Sequence, residues 1–317
     1  MLTRVRERID RAQLGSRSLA IAIATFKKFS EDHTSNLAAM VAFWGFFSIF
    51  PLLLVLVTVL GWVLPAGDKA SVLTHVANMF PLVDPSTVSH LSGAVWALLV
   101  GLISALWSGI GVVRTMQSAF DSVWEVPYRD RLGTRAQLVR SVWVLGTIGV
   151  GLVVSTLVSS LATSTSNGLS LGVAGRVAGY LIAVALDVGL VVAGFRILTT
   201  RHVTVRDVLP GGLVAGVAFF VLQELSAFII SAHLKNAQST YGHFATVITI
   251  LWWFYLQAQI TLLAGQLNVV LRDRLYPRSL GKLPRTEADH RALTAYAAER
   301  AYQPKETVNV EFEQQAS

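Results

Sequence analysis

The sequence predicts an all-α polytopic membrane protein, with six transmembrane helices and an interfacial helix ahead of them. Six continuous apolar stretches each exceed the roughly 20 residues that a helix needs to cross about 30 Å of hydrocarbon. They are unbroken rather than alternating, so helices and not a barrel would satisfy the backbone in lipid. Of the 317 residues, 53% are hydrophobic and 14% charged. A soluble domain would carry about a quarter charged residues. Here the charges gather at the two ends and in short loops.

Residues 1–36 form a basic segment. Within it Leu19, Ile23 and Phe26, followed by Phe29 or Ser30, fall at helical spacing, with Lys27 and Lys28 at the end. This pattern predicts an amphipathic helix lying in the interface, with a helix packed on the membrane bundle as the alternative. Residues 37–275 form the transmembrane domain, with spans at about 38–63, 93–114, 138–161, 176–198, 208–231 and 243–271. The loop 64–92 carries a short apolar stripe of Val72, Val76, Ala77 and Phe80. Gln117, Asp121 and Trp124 follow Arg114 at helical spacing, so the second span continues out of the membrane to Pro127. Residues 276–317 are polar, hold Pro277, Pro284 and Pro304, and lack a continuous apolar face. A helix is expected over EADHRALTAYAAERAY, and disorder over the last dozen residues.

Orientation follows from Lys and Arg, which are enriched on the cytoplasmic side. The N-terminal segment has Arg4, Arg6, Arg8, Arg11, Arg17, Lys27 and Lys28, whereas the first loop has only Lys69. The second loop has Arg114, Arg129, Arg131 and Arg135, with Arg140 just inside the next span; the third has Arg176 at its edge. The fourth has Arg201 and Arg206, the fifth only Lys235, and the tail is rich again from Arg272 to Lys305. This strict alternation predicts an even number of spans, with both termini on the cytoplasmic side.

The net charge of +7 would suggest nucleic acid in a soluble protein. Membrane orientation accounts for it here, and no base-stacking platform is present, so nucleic acid is not expected as a partner. The absence of cysteine excludes disulfides and thiolate metal sites. No cleavable signal peptide is expected. There is no P-loop, HExxH or GxSxG, and the seven histidines are scattered without metal-ligand spacing to a carboxylate. The reading is a non-enzyme without cofactor or metal.

Polar residues inside spans are the candidate site, because charge at mid-bilayer is expensive. Asp187 lies near the middle of the fourth span, and Gln223 and Glu224 in the outer half of the fifth. Gln257 and Gln259 lie midway along the sixth, with Gln266 and Asn268 near its inner end. Either these residues line a polar cavity or they make interhelical hydrogen bonds. Gly175 to Gly179 and Gly212 to Gly216 are GxxxG patterns that predict close helix packing within the chain. Pro210 is expected in the tolerated first turn of its helix, and Pro51 is expected to kink or break the first span.

Three segments carry a resemblance: AAMVAFWGFFSIFPLLL, LWSGIGVVRTMQSAFDSVWEV and YGHFATVITILWWFYLQAQITLLAGQLN. In order and spacing they resemble the YihY/virulence factor BrkB family of bacterial inner-membrane proteins, over about residues 26–275. The resemblance implies six membrane helices with cytoplasmic termini. Members are linked to envelope properties and suspected of transport, and some carry a ribonuclease label; no catalytic residues carry over. Gln266 stands where the family commonly has Glu, and Asp121 where Asn is common. Two functional readings follow. One is transport or translocation of a small solute or a lipid-linked envelope component. The other is a non-transporting envelope scaffold. The lipid bilayer is the expected partner in both.

Overall fold

The computed structural model describes residues 2–63, 95–147, 172–225, 244–280 and 286–312, with no strand among them. The helices are α1 (Leu2–Gly15), α2 (Arg17–Glu31), α3 (Thr34–Val63), α4 (Val95–Val123), α5 (134–147), α6 (Gly172–Leu198), α7 (Val205–Glu224), α8 (Phe244–Arg272) and α9 (Glu287–Glu299). Within α3, α4, α7 and α8, the stretches Thr34–Val55, Val95–Val123, Val205–Leu222 and Val247–Arg272 are long and apolar enough to cross a membrane. Between 17% and 33% of their most apolar windows is buried. Phe43, Phe47, Ile103, Trp107, Leu213 and Val217 are exposed, which is how an apolar helix meets lipid rather than water. The expected third span lies largely outside the described residues, as does the stripe at 72–80.

The chain divides into two compact units. One holds Ala39–Thr115 and Gln223–Ala258. Within it, α3 and α4 approach so closely that a Cβ on Gly111 would lie 2.3 Å from the Trp44 ring. Trp44 also meets Trp107 edge-on at 5.6 Å. Pro51 does not end α3, which is helical through to Val63. The hydroxyls of Ser48 and Thr58 donate back to the carbonyls of Gly45 and Leu54, and so add no unsatisfied group in lipid.

The other unit holds Met1–Ala38, Met116–Leu222 and Gln259–Ser317. Its core contains Phe120, Trp124, Phe195, Val208, Leu262, Val269 and Val270, all nearly inaccessible. Gly212 and Gly216 bring α7 against Val192 and Val188 of α6, where added Cβ atoms would stand 2.3 and 2.4 Å from valine methyls. This close packing lies within the chain, as the glycine spacing predicts.

Three expectations change. Helix α7 begins three residues before the expected span, because Asp207 Oδ2 accepts from the Thr204 N–H and hydroxyl, both at 2.8 Å. Pro210 is therefore in the second turn, and the following Gly211 N–H donates to Asn268 Oδ1 at 2.6 Å. Helix α2 packs through Ala20, Ala24, Thr25 and Lys28 and leaves Leu19 and Phe26 exposed, so the packed-helix alternative describes its contacts. The tail is not loose over the described residues. Helix α9 forms where expected, and Ala288, Asp289 and Ala292 on it are buried. Although the segment lacks a continuous apolar face, Arg278, Ser279 and Asp289 anchor it through polar contacts.

Candidate functional site

Ala20, Ala24 and Lys28 recur at intervals of four on α2. The two alanines let that face pack closely, and the same face carries Lys28 to complete burial. A buried ammonium is tolerable only with partners. Asp32, one turn on, and Glu125 both lie 2.7 Å from Lys28 Nζ. Glu125 reaches this position because the end of α4 is capped by a non-glycine residue in the left-handed region, φ 53°. The Val126 N–H bonds back to the Asp121 carbonyl at 2.8 Å, closing the helix as in a Schellman turn. His33 and Arg274, just past α2 and α8, also adopt positive φ. Such a conformation costs about 1–2 kcal/mol outside glycine.

Gln266 joins α8 to the cluster. Its Nε2 donates to Asp32 Oδ2 at 2.7 Å and to Thr34 Oγ1 at 2.9 Å. Tyr296 of α9 places its ring 5.3 Å from Lys28 Nζ and donates its hydroxyl to Glu31 Oε2 at 3.0 Å. Arg278, 1% exposed, bridges Glu31 at 2.8 Å and Asp289 at 2.7 Å. Lys27 reaches the same Asp289 oxygen at 3.0 Å. Further along, Arg131 pairs with Glu299 at 2.6 Å, and Tyr128 stacks on Tyr302 at 4.8 Å.

Burial and charge pull against each other here. Burial disfavours the Lys28 ammonium, but Glu125 and Asp32 outweigh it and hold its pKa above the ordinary lysine value. Burial pushes the Glu125 carboxyl up, opposed by Lys28. Burial also acts to raise Asp289, yet hydrogen bonds from Arg278, Lys27, Ser279 and Thr286 hold it well below the carboxylate range. Tyr296 is pushed far up by burial and by the carboxylates of Asp32, Glu31 and Glu125.

Beside the cluster, and sharing Glu125 with it, lies a cleft of about 430 Å³. Trp124, Asp130, Thr200, Arg201, His202 and Asp273 line it, with Ala295 and Ala298 of α9 as one wall. Asp121 accepts from the Thr200 N–H at 2.9 Å and hydroxyl at 3.0 Å, which pins the segment carrying Arg201 and His202. Arg201 pairs with Asp273 at 3.2 Å and donates to the Trp124 carbonyl at 3.3 Å. The guanidinium carbons of Arg201 and Arg272 lie 5.9 and 5.4 Å from the Trp124 ring. The cleft thus offers hydrogen-bond donors and acceptors around an aromatic floor. Among the described residues, no group of three His, Asp or Glu side chains is placed to hold a metal ion.

The residues singled out by sequence do not meet at this site as a group. The side chains of Asp187, Gln223 and Glu224 lie outside the described residues. Gln257 and Gln259 are half-buried on α8. Gln266 and Asn268 are fully buried, the first in the Lys28 cluster and the second on the Gly211 N–H, so both make interhelical bonds. Lys28, Asp32, Glu125, Arg278 and Asp289 are missed by a search confined to spans. Their one sequence signal is the Lys28–Asp32 spacing of four on a face that begins with Ala20 and Ala24.

Comparisons with known proteins show the family of this chain. A model of the family described as Virulence factor BrkB matches residues 25–289. The Bacillus subtilis (strain 168) protein named "Putative ribonuclease-like protein YfkH" is 25% identical over 261 residues, covering 78% of this chain and 94% of that protein. A UPF0761 membrane protein of Xanthomonas oryzae pv. oryzae (strain PXO99A) is 24% identical over 284 residues, 87% of this chain. UPF0761 membrane protein XAC0937 of Xanthomonas axonopodis pv. citri (strain 306) is 22% identical over the same length. The match spans 66% of each of these Xanthomonas proteins. No solved structure matches. With its family match running from α2 into α9, and its apolar helices exposed as lipid requires, the chain belongs to the BrkB virulence factor family of membrane proteins.

Proposed function

We propose that this protein is a six-span protein of the bacterial inner membrane with both termini in the cytoplasm. In this reading it moves a small solute or a lipid-linked envelope component across the bilayer, and it is not an enzyme. One observation carries the reading: four basic segments separated by hydrophobic sequence are bonded to one another. Lys28 meets Glu125, Arg201 meets the Trp124 carbonyl and Asp273, Arg278 meets Glu31, and Arg131 meets Glu299. Such pairs cannot form across about 30 Å of hydrocarbon, so these segments share one side. Each stretch between them therefore crosses an even number of times, which matches six spans. Their basic character makes the shared side cytoplasmic.

The cleft beside Trp124 then opens at the cytoplasmic ends of the spans and serves as the entry site for a polar solute or headgroup. Asp187 and Glu224, the acids that the sequence sets within spans, are the positions on which this reading is tested. The experiment is flux in proteoliposomes, measured by dithionite quenching of fluorescent phosphatidylglycerol and by osmotic swelling with small solutes. Movement above empty liposomes is expected, reduced at least tenfold by Asp187→Asn or Glu224→Gln in folded protein. Absence of flux for every probe favours the scaffold reading. That alternative draws on the exposed Leu14, Leu19 and Phe26 of α1 and α2, which would receive a protein partner.

A further inference from the structure

Helix α5 carries a stripe that the cluster and the cleft do not use. Leu132, Arg135, Ala136, Val139, Arg140 and Trp143 line a shallow, mostly apolar groove of about 600 Å³. Positions 135, 139 and 143, with 136 and 140 beside them, share one face of the helix. Ala136 supplies the small side chain, and Val139 and Trp143 are 60% and 74% exposed. Arg135 is exposed and has no hydrogen-bond or ion-pair partner among the described residues. Arg140 is held in place by donating from Nη2 to the Thr199 carbonyl at 2.6 Å.

The chemistry changes along the groove. Its charges are both cationic and no carboxylate lines it. From Arg135 to Trp143 the helix rises about 12 Å. The headgroup layer on each side of a bilayer is about 5–8 Å thick, so this rise leads from headgroup level into the acyl chains. Valine and tryptophan surfaces suit a chain, and a guanidinium suits a phosphate through paired N–H donors. A zwitterionic headgroup gains less, since its own ammonium lies close to Arg135.

We propose that the α5 groove binds one anionic glycerophospholipid of the surrounding bilayer. Its phosphate sits on Arg135 with Arg140 behind it, and one acyl chain lies along Val139 and Trp143. The assignment rests on the six-span reading, in which α5 opens the third span, but not on transport, so flux measurements leave it untouched.

The test uses full-length protein in detergent, titrated with mixed micelles of phosphatidylglycerol brominated on its acyl chains, or of the corresponding brominated phosphatidylcholine. Bromine quenches indole fluorescence on contact, and subtraction of the Trp143→Phe variant isolates the Trp143 signal. Phosphatidylglycerol is expected to half-quench that signal at about fivefold lower mole fraction than phosphatidylcholine. Arg135→Gln should abolish the preference, and Arg300→Gln, which removes an exposed charge from the tail, should preserve it. Equal quenching by the two lipids overturns the proposal, as does equal loss in both arginine variants, which would indicate diffuse charge. Reversal of quenching by millimolar glycerol phosphate would make this a soluble-phosphate site and overturn the lipid assignment.

Discussion

Lys28 shows how one side chain can set the tolerance of its neighbours. With its ammonium in place, Asp32 and Glu125 are a compensated buried pair; without it, two carboxylates are stranded. Breaking a buried pair by removing one partner costs about 3–5 kcal/mol. Lys28→Met is therefore expected to lower stability by about that amount in detergent at pH 8. Burial already raises the Glu125 carboxyl, and loss of Lys28 removes what opposes it. The stability contribution of Glu125 is then present below the ordinary carboxylate range and lost as pH rises, so the deficit should shrink at pH 5. Thermal unfolding at the two pH values measures this, and a deficit independent of pH would show that water already reaches the cluster. Gln266 fits the same logic. A glutamate there would place a third carboxylate against Asp32, whereas the amide of this chain donates to it.

At the scale of elements, the tail is held by charge rather than by an apolar face. Helix α9 has a complete capping box, in which Asp289 and Thr286 satisfy each other's backbone N–H groups. The same Asp289 also takes Arg278 and Lys27. Hydrogen bonds to charged groups contribute about 1.5–3 kcal/mol each. Asp289→Asn should thus cut amide-exchange protection across α9 by about 10–100-fold, read by mass spectrometry of the full chain. Because the Asp289 pKa is depressed, its contribution is present above about pH 4 and lost only as pH falls further. Wild-type protection, corrected for intrinsic exchange, should match at pH 8 and pH 5. Equal exchange in wild type and variant would refute docking through this residue.

At the scale of the molecule, contacts among the basic segments constrain topology more tightly than hydropathy does. Reporter fusions after Arg131, Thr204 and Arg285 should report the cytoplasm, and fusions after Asp68, Asn167 and Asn236 the opposite side. One clean reversal would break the six-span reading and, with it, the even-crossing argument.

The membrane class, the helical architecture and the family were legible in the sequence because they depend on local quantities. Apolar length, charge alternation and motif order need no knowledge of what meets what. The continuation of α4 beyond Arg114, though it stops at Val123 and not at Pro127, and the place of α9 were legible for the same reason, through periodicity and a cap. The Lys28 cluster was not, because its members come from α2, the turn after α4, α8 and α9, and no window spans residues 28, 125, 266 and 296. Sequence marked Gln266 and Asn268 as polar and membrane-embedded, but it could not choose between cavity and contact. Tertiary structure made that choice by placing a carboxylate within reach of Gln266 and a backbone N–H beside Asn268. A buried polar group takes its role from its partner, and only the fold supplies the partner.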